Sequence, residues 1–348
     1  MSKAHKIIYK LSGLKSRLLG GAAPLLLAGF VILSSLAVLV AGGASVTGTN
    51  NVAQASITGE WLADFSRKNP EEVQFTIARR GERGEQHSSS GGIQLRELQG
   101  LTREQAFSPR SDVNFRLVRE AGTFLCEGFF KEGKGAGFWT LNLNQSFVSG
   151  MRERGYDNLT EEDLFTAAVV DVTTKSVDDL KAAGYDHLSF KELVEANIFK
   201  VTGEFVREMR ASGFENLSLK QLVEARIFKV DGQYVKEVEA MGFGHPPLKT
   251  LVDMRIHKIT PEFIARMRSM GFDNLSLREL MDLSVHNVTP EFVNGIKAEG
   301  FASISPHQAV ELKIFGVDRD FIRRVRAKGF NDVTLKQLVD LRIHNVIK

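Results

Sequence analysis

From Leu143 to its end the chain repeats one motif every 29 residues, and that period governs what it can fold into. Units begin at Leu143, Val172, Val201, Val230, Ile259, Val288 and Val317, and an eighth starts at Val346. A unit this short cannot bury an apolar face by itself. Stacked neighbours can, so a fixed period of this size is the signature of an α-solenoid.

Within each unit the local chemistry spells helix-turn-helix. Units open with a β-branched residue or Leu, followed usually by Thr or Asp and sometimes by Pro, as in Ile259-Thr260-Pro261 and Val288-Thr289-Pro290. The Thr oxygen can accept from an orphan helix N–H, and Pro at the first helical position loses no hydrogen bond. Gly155, Gly184, Gly213, Gly242, Gly271, Gly300 and Gly329 each precede Tyr or Phe. Glycine takes the left-handed conformation that ends a helix, and the aromatic folds back over the last turn. A second helix then starts at a capping box, Ser or Thr with Glu, Gln or Asp three residues on. The boxes are Thr160/Asp163, Ser189/Glu192, Ser218/Gln221, Ser276/Glu279, Ser305/Gln308 and Thr334/Gln337. The fourth unit reads Gly244-His245-Pro246-Pro247 instead. A kink or a displaced second helix is expected there.

The N-terminal part has a different character. Lys3, Lys6, Lys10, Lys15 and Arg17 precede a stretch without charge that lasts until Glu60. Within it Ala22–Ala41 is almost wholly apolar. Twenty residues at ~1.5 Å each reach about 30 Å, one hydrocarbon thickness. Flanking positive charge keeps the N-terminus in the cytoplasm and sends the rest out. The sequence therefore predicts a cytoplasmic basic tail (1–17), a transmembrane signal anchor (18–44), a linker (45–58), a small β domain (59–142) and the α-solenoid (143–348), an α+β multidomain chain. The competing reading is a cleaved signal peptide, for which Ala53-Gln54-Ala55 offers small residues.

Residues 43–142 carry 12 basic and 12 acidic side chains and the repeats 28 against 30, so the basic balance belongs to the tail. No cationic patch points to nucleic acid. The lone Cys126 rules out an internal disulfide. Alternating apolar and polar residues predict strands over 60–65, 73–80, 112–119, 123–130 and 137–143. His87–Gly92 reads as an exposed loop, and Thr102 as the start of a helical turn. Such a domain is a small sheet or half-open barrel.

Catalytic and cofactor signals are weak. Gly133-Lys134-Gly135-Ala136-Gly137 has the composition of a phosphate loop, but FWTLNL follows as a strand where a phosphate loop needs a helix. A tight hairpin is the better reading. His257, His286 and His344 recur at one unit position. Stacked helices ~8–10 Å apart cannot bring them to one metal, which needs ligands at about 2 Å. No HExxH, GxSxG or paired cysteine spacing occurs. No catalytic residue, metal or cofactor is therefore assigned.

Two interaction candidates remain. Arg152, Lys181, Arg210, Arg268, Lys297 and Arg326 share the tenth position of their units, where only Glu239 breaks the row. They make either a cationic stripe or a set of cations favouring helix ends through the dipole. The seventh unit keeps an internal pattern, and only Val346-Ile347-Lys348 follow it. Leu341, Ile343, Val346 and Ile347 thus form a candidate contact edge for a partner or a second copy.

The segment VREAGTFLCEGFFKEGKGAGFWTLNLNQSF, followed by repeats of the type LRIH-NVTPEF, resembles uncharacterised bacterial membrane-anchored proteins. It is also similar to ectodomain extensions of antirepressor-type sensor metallopeptidases. The resemblance spans about Gly59 to Lys348. It implies a bacterial envelope location and a sensory or scaffolding context; the peptidase domain and its HExxH are absent, so no proteolysis is implied. The expected function is a non-enzymatic, single-pass membrane protein whose β domain and solenoid bind an envelope protein. The alternative is a carrier of a small ligand or lipid in the β domain.

Overall fold

A computed structural model describes residues 57–65, 69, 71–80 and 86–347. The basic tail, the apolar segment and nearly all of the linker lie outside them. Among the described residues no helix is long and apolar enough to cross a membrane. The architecture is a curled antiparallel half-barrel followed by repeated short helices, an α+β chain. These residues fall into two compact units that divide after Gly203.

The first unit holds the sheet and the first repeats. Strands β1 (Ile57–Phe65), β2 (Glu72–Arg80), β3 (Gln86–Gln94), β4 (Leu98–Gln99), β5 (Ser111–Arg119), β6 (Gly122–Lys131) and β7 (Lys134–Leu143) lie in the order β3-β2-β1-β7-β6-β5-β4. Every pair is antiparallel. Alternation sorts the faces as it must in a strand: Trp61, Ala63 and Phe65 are buried between exposed Leu62 and Asp64. Trp61 packs on Phe75, Phe115 and Phe130 at centroid distances of 5.8, 5.1 and 5.5 Å. Its indole lies across a row in which Gly137 and Gly128 are its register neighbours. A Cβ at Gly128 or Gly137 would come within 2.8 or 2.7 Å of the ring. Those glycines make the space, and the ring nitrogen then donates to the Glu127 carbonyl at 3.1 Å.

The segment expected to be an exposed loop is instead the edge strand β3. Ser88, Ser89 and Ser90 pair with Ala78, Ile77 and Thr76, and Thr76 bonds the Ser90 hydroxyl at 3.0 Å. An edge strand draws its stability from the ladder of its one neighbour, so a run of Ser and Gly without apolar alternation suffices. The glycine-rich motif builds the β6–β7 hairpin: Glu132 and Gly133 have φ of 50° and 86°, the left-handed pair of a two-residue turn. Thr102 caps helix α1 (Arg103–Phe107) with a closed capping box, as the sequence predicts.

Helices α2 (Gln145–Glu153), α3 (Glu161–Val170), α4 (Thr174–Ala182) and α5 (Phe190–Ile198) form the first two repeats. Helix α3 closes on the sheet: Phe165 stacks on Trp139 at 5.5 Å, and Arg79 lies 5.3 Å above Phe165 while pairing with Glu162 at 3.2 Å. The Thr174 hydroxyl donates to Glu120 at 2.5 Å. The change from strands to helices at Leu143 is thus not a gap in packing.

The second unit holds α6 (Gly203–Ala211, apart from its first residue), α7 (Leu219–Ile227), α8 (Gly232–Val238), α9 (Leu248–Ile256), α10 (Pro261–Ser269), α11 (Leu277–Val285), α12 (Pro290–Ala298), α13 (Pro306–Ile314), α14 (Arg319–Ala327) and α15 (Leu335–Ile343). First helices touch first helices of the next repeat, and second helices touch second helices: α10 meets α12, and α11 meets α13. All six capping boxes read from the sequence close in the structure. The repeat glycines have φ between 84° and 94°, and behind Gly213 the N–H of Phe214 reaches the Met209 carbonyl at 3.0 Å.

Second helices end in the same way, with Gly316 in the sixth repeat and residues other than glycine elsewhere. Lys229, Lys258, Asn287 and Asn345 are left-handed at φ of 48–56°, and the Val230 N–H reaches the Ala225 carbonyl at 2.8 Å. In the fourth repeat α8 runs into a π-turn over Glu239–Phe243. Its second helix keeps the register of the other repeats and starts at Pro247 without a side-chain cap. The irregularity lies in the end of the first helix.

Candidate interaction surface

The basic row at the tenth position divides by exposure. Arg152, Lys181, Arg210 and Arg268 are exposed, while Lys297 and Arg326 are half-buried. Lys297 donates to the Met270 carbonyl at 2.7 Å and Arg326 to the Glu299 carbonyl at 2.7 Å. Both acceptors cap the first helix of the preceding repeat, where unpaired carbonyls carry partial negative charge. These two cations therefore tie repeat to repeat. Glu299 also gathers Arg319 and Arg323, each at 2.9 Å. The hydrogen bond from Arg319, with that from Arg323, holds its carboxyl below the ordinary glutamate value. In the fourth repeat Glu239 takes the row position and bonds His245 at 3.1 Å. His245 packs on Phe214 with ring centroids 4.8 Å apart.

A second cationic row, at the twenty-sixth position, escaped the sequence reading. Arg226 lies 3.8 Å over Phe205, Arg255 3.5 Å over Tyr234, Lys313 4.5 Å over Phe292 and Arg342 5.0 Å over Phe321. Each aromatic occupies the fifth position of the same repeat. A cation over an aromatic face contributes about 0.5–2 kcal/mol, more as the pair is desolvated. The signal was present as a pairing: where the cation is missing, as at Ser284, the serine bonds the His257 carbonyl at 2.5 Å instead.

The four residues of the C-terminal edge separate. Val346 is 58% exposed and Ile343 47%, Leu341 is half-buried, and Ile347 is only 7% exposed. Ile347 is thus buried, and Val346 and Ile343 are the exposed members of the edge. Beside it lies an open cleft of about 630 Å³ lined by Arg324, Ala327, Lys328, Phe330, Val346 and Ile347.

A row of which the sequence showed only the last member, Ile343, is the longest exposed apolar series of the repeats. At the twenty-seventh position Ile227 and Ile256 are each 45% exposed, Val285 56%, Ile314 54% and Ile343 47%. Ile198, at the same position of the second repeat, is also 45% exposed. This residue is the last of the helix and takes no part in the apolar contact that seals its end, which joins the positions two before and three after it. Helical periodicity shows which face is apolar but not whether a marginal position is covered, so the row does not stand out in the sequence.

His257, His286 and His344 are the C-caps of α9, α11 and α15. Among the described residues no group of three metal-ligating side chains occurs. Burial pushes the Cys126 thiol up to about 12, which keeps it an inert core residue. Compared with family models, with curated proteins and with solved structures, the chain matches none.

Proposed function

We propose that this chain is a non-enzymatic interaction protein of a bacterial envelope, anchored by residues 18–44 with its N-terminus inside, whose repeats stack as an α-solenoid and bind a protein partner. The observation that carries the reading is the apolar row at the twenty-seventh position, where an exposed β-branched residue recurs from the second repeat to the seventh. Apolar residues exposed in a regular row, rather than scattered singly, are what a protein contact site presents, and stacked repeats supply long faces for them. The anchor rests on the uncharged stretch behind the basic tail, and the envelope location on the resemblance to membrane-anchored ectodomains. The carrier reading has less support, because Trp61, Phe75, Phe115 and Phe130 fill the interior face of the sheet.

Two measurements test the proposal. A reporter fused after Lys348 should be active outside the cytoplasm only, and the full-length chain should stay in membranes after alkaline washing. Purified under mild conditions, the full-length chain should retain a protein in fixed proportion. Co-purifying lipid without protein would favour the carrier, and a mature N-terminus at Ser56 would replace the anchor by a cleaved signal peptide.

A further inference from the structure

We propose that the outer face of the sheet rests on the surface of the bilayer that holds residues 18–44. The proposal depends on the anchored reading above and adds to it a second point of contact with the membrane. Strand alternation puts Leu62, Phe129, Ala136 and Phe138 on the face opposite buried Trp61 and Trp139. Leu62 and Phe129 are the register partners of Ala136 on its two sides, and Phe138 follows two residues along the same strand. At 62% Phe138 is the most exposed large apolar side chain among the described residues, and Leu62 is 58% exposed. An antiparallel sheet with one face on a core ordinarily turns polar residues outward. Here apolar side chains stand next to one another across three central strands, which makes a patch rather than a scatter of single residues.

The chemistry beside the patch is that of a zwitterionic headgroup. An open cleft of about 430 Å³ lies at the β6–β7 hairpin, and its lining joins Phe129 and Ala136 to Lys131, Glu132 and Lys134. Cations and a carboxylate at the rim of an apolar floor match phosphate and ammonium groups above acyl chains. Both signs occur elsewhere on the face as well: Arg116, Glu60 and Glu127 point outward, Lys134 pairs with Asp64 at 3.6 Å, and Arg110 pairs with Asp112 at 3.8 Å. No single sign of charge dominates, so the face does not select a strongly acidic or basic protein.

The chain length before the sheet decides which surface the patch meets. Residues 45–56 carry no charge and join the anchor to Ile57, the first residue of β1. Twelve residues reach at most about 40 Å. A strand rises ~3.4 Å per residue, so Leu62 lies about 17 Å beyond the join. That reach is long enough to lay the patch on the bilayer and too short to take the sheet far from it. The tether makes the meeting an intramolecular step, and Leu and Phe side chains gain by entering the boundary between headgroups and acyl chains.

The test uses the full-length chain in phosphatidylcholine liposomes, labelled with a nitrobenzoxadiazole dye through Ala136→Cys or, as control, through Glu161→Cys. Glu161 is exposed on α3, the helix that packs on the opposite face of the sheet through Phe165 and Trp139. Lipid carrying a nitroxide at the fifth acyl carbon should quench the dye at position 136 at least twofold and leave the dye at 161 unchanged. Adding Leu62→Ser/Phe129→Ser/Phe138→Ser should abolish the quenching at 136, with far-UV melting unchanged and the chain still in the membrane after alkaline washing. The contrast between the two labels stands alone if that variant fails to fold. Equal quenching at both positions, no quenching at 136, or quenching that the folded Ser variant retains would overturn the proposal and leave the anchor in place. So would a dimer that the Ser variant dissolves, which would assign the face to a second copy, or a protein retained by the wild-type face alone. Release of the chain by alkaline washing would remove the anchored reading and this proposal with it.

Discussion

The sheet and the second unit's repeats reach stability by opposite routes. In the sheet, Trp61 bonds the carbonyl of Glu127, 66 residues away, and its ring needs glycines on two other strands. In the repeats, caps and helix ends close within a few residues, and the longer ties, Lys297 to Met270 and Arg326 to Glu299, span 27. A single change in the sheet should therefore spread through all its strands, whereas a change in one repeat should be felt there and in its neighbours. Both tryptophans lie in the sheet, so indole fluorescence reports on that unit while far-UV helix signal reports mainly on the repeats.

The largest effect is expected from Trp61→Ala. Loss of a fully buried indole costs about 3–5 kcal/mol. The Trp139 fluorescence transition in urea should move to lower denaturant, while most of the helix transition stays in place. Coincident shifts of both signals by the same amount would break the contrast.

Gly213→Val comes next. Gly213 has φ of 89°, and a Cβ would sit 2.8 Å from the His245 ring nitrogen. Backbone strain alone costs roughly 1–2 kcal/mol for a residue with a side chain. The helix transition should shift while sheet fluorescence does not, and Lys220→Val, at an exposed site of the adjoining helix, should change it by no more than about 0.5 kcal/mol.

How far each region could be read from sequence follows from the same difference. Caps, boxes and glycine helix ends are local chemistry, so the repeats, their limits and the irregular fourth unit were legible. The second left-handed turn was not, because Lys229 and Lys258 carry no signature of that conformation. Nor was β3, whose Ser and Gly residues acquire strand structure only from β2. Of the basic row, the sequence supplied its members but not the split between exposed Arg210 and Arg268 and the repeat-linking Lys297 and Arg326. Exposure of the apolar row depends on which neighbours cover the end of each helix, and that is a property of packing.

A smaller effect should separate the two cationic rows. Arg255→Ala removes a guanidinium 3.5 Å above Tyr234 and should cost about 1–2 kcal/mol in the helix transition. Exposed Arg268→Ala should cost nearly nothing; an equal loss would mean that both rows are structural.

The smallest expected effect is a change of slope with pH. The Glu299 carboxyl is held below its ordinary value by Arg319 and Arg323. Its contribution is present above the unfolded-state pKa and is lost as pH falls through the lower folded value. Glu299→Gln should flatten the acid limb of the helix stability curve and leave the sheet curve unchanged. An unaltered limb would show that the arginine cluster does not stabilise the sixth and seventh repeats.

The central claim, that the repeats present a working contact face, is tested most directly by a photoreactive residue placed in the full-length chain in living cells. Put at Ile314 on the apolar row, it should yield a discrete heavier adduct that contains a second protein and remains with membranes after alkaline washing. Put at exposed Lys236 on a first helix, it should yield none. No adduct at Ile314, or the same adducts from both positions, would contradict the account.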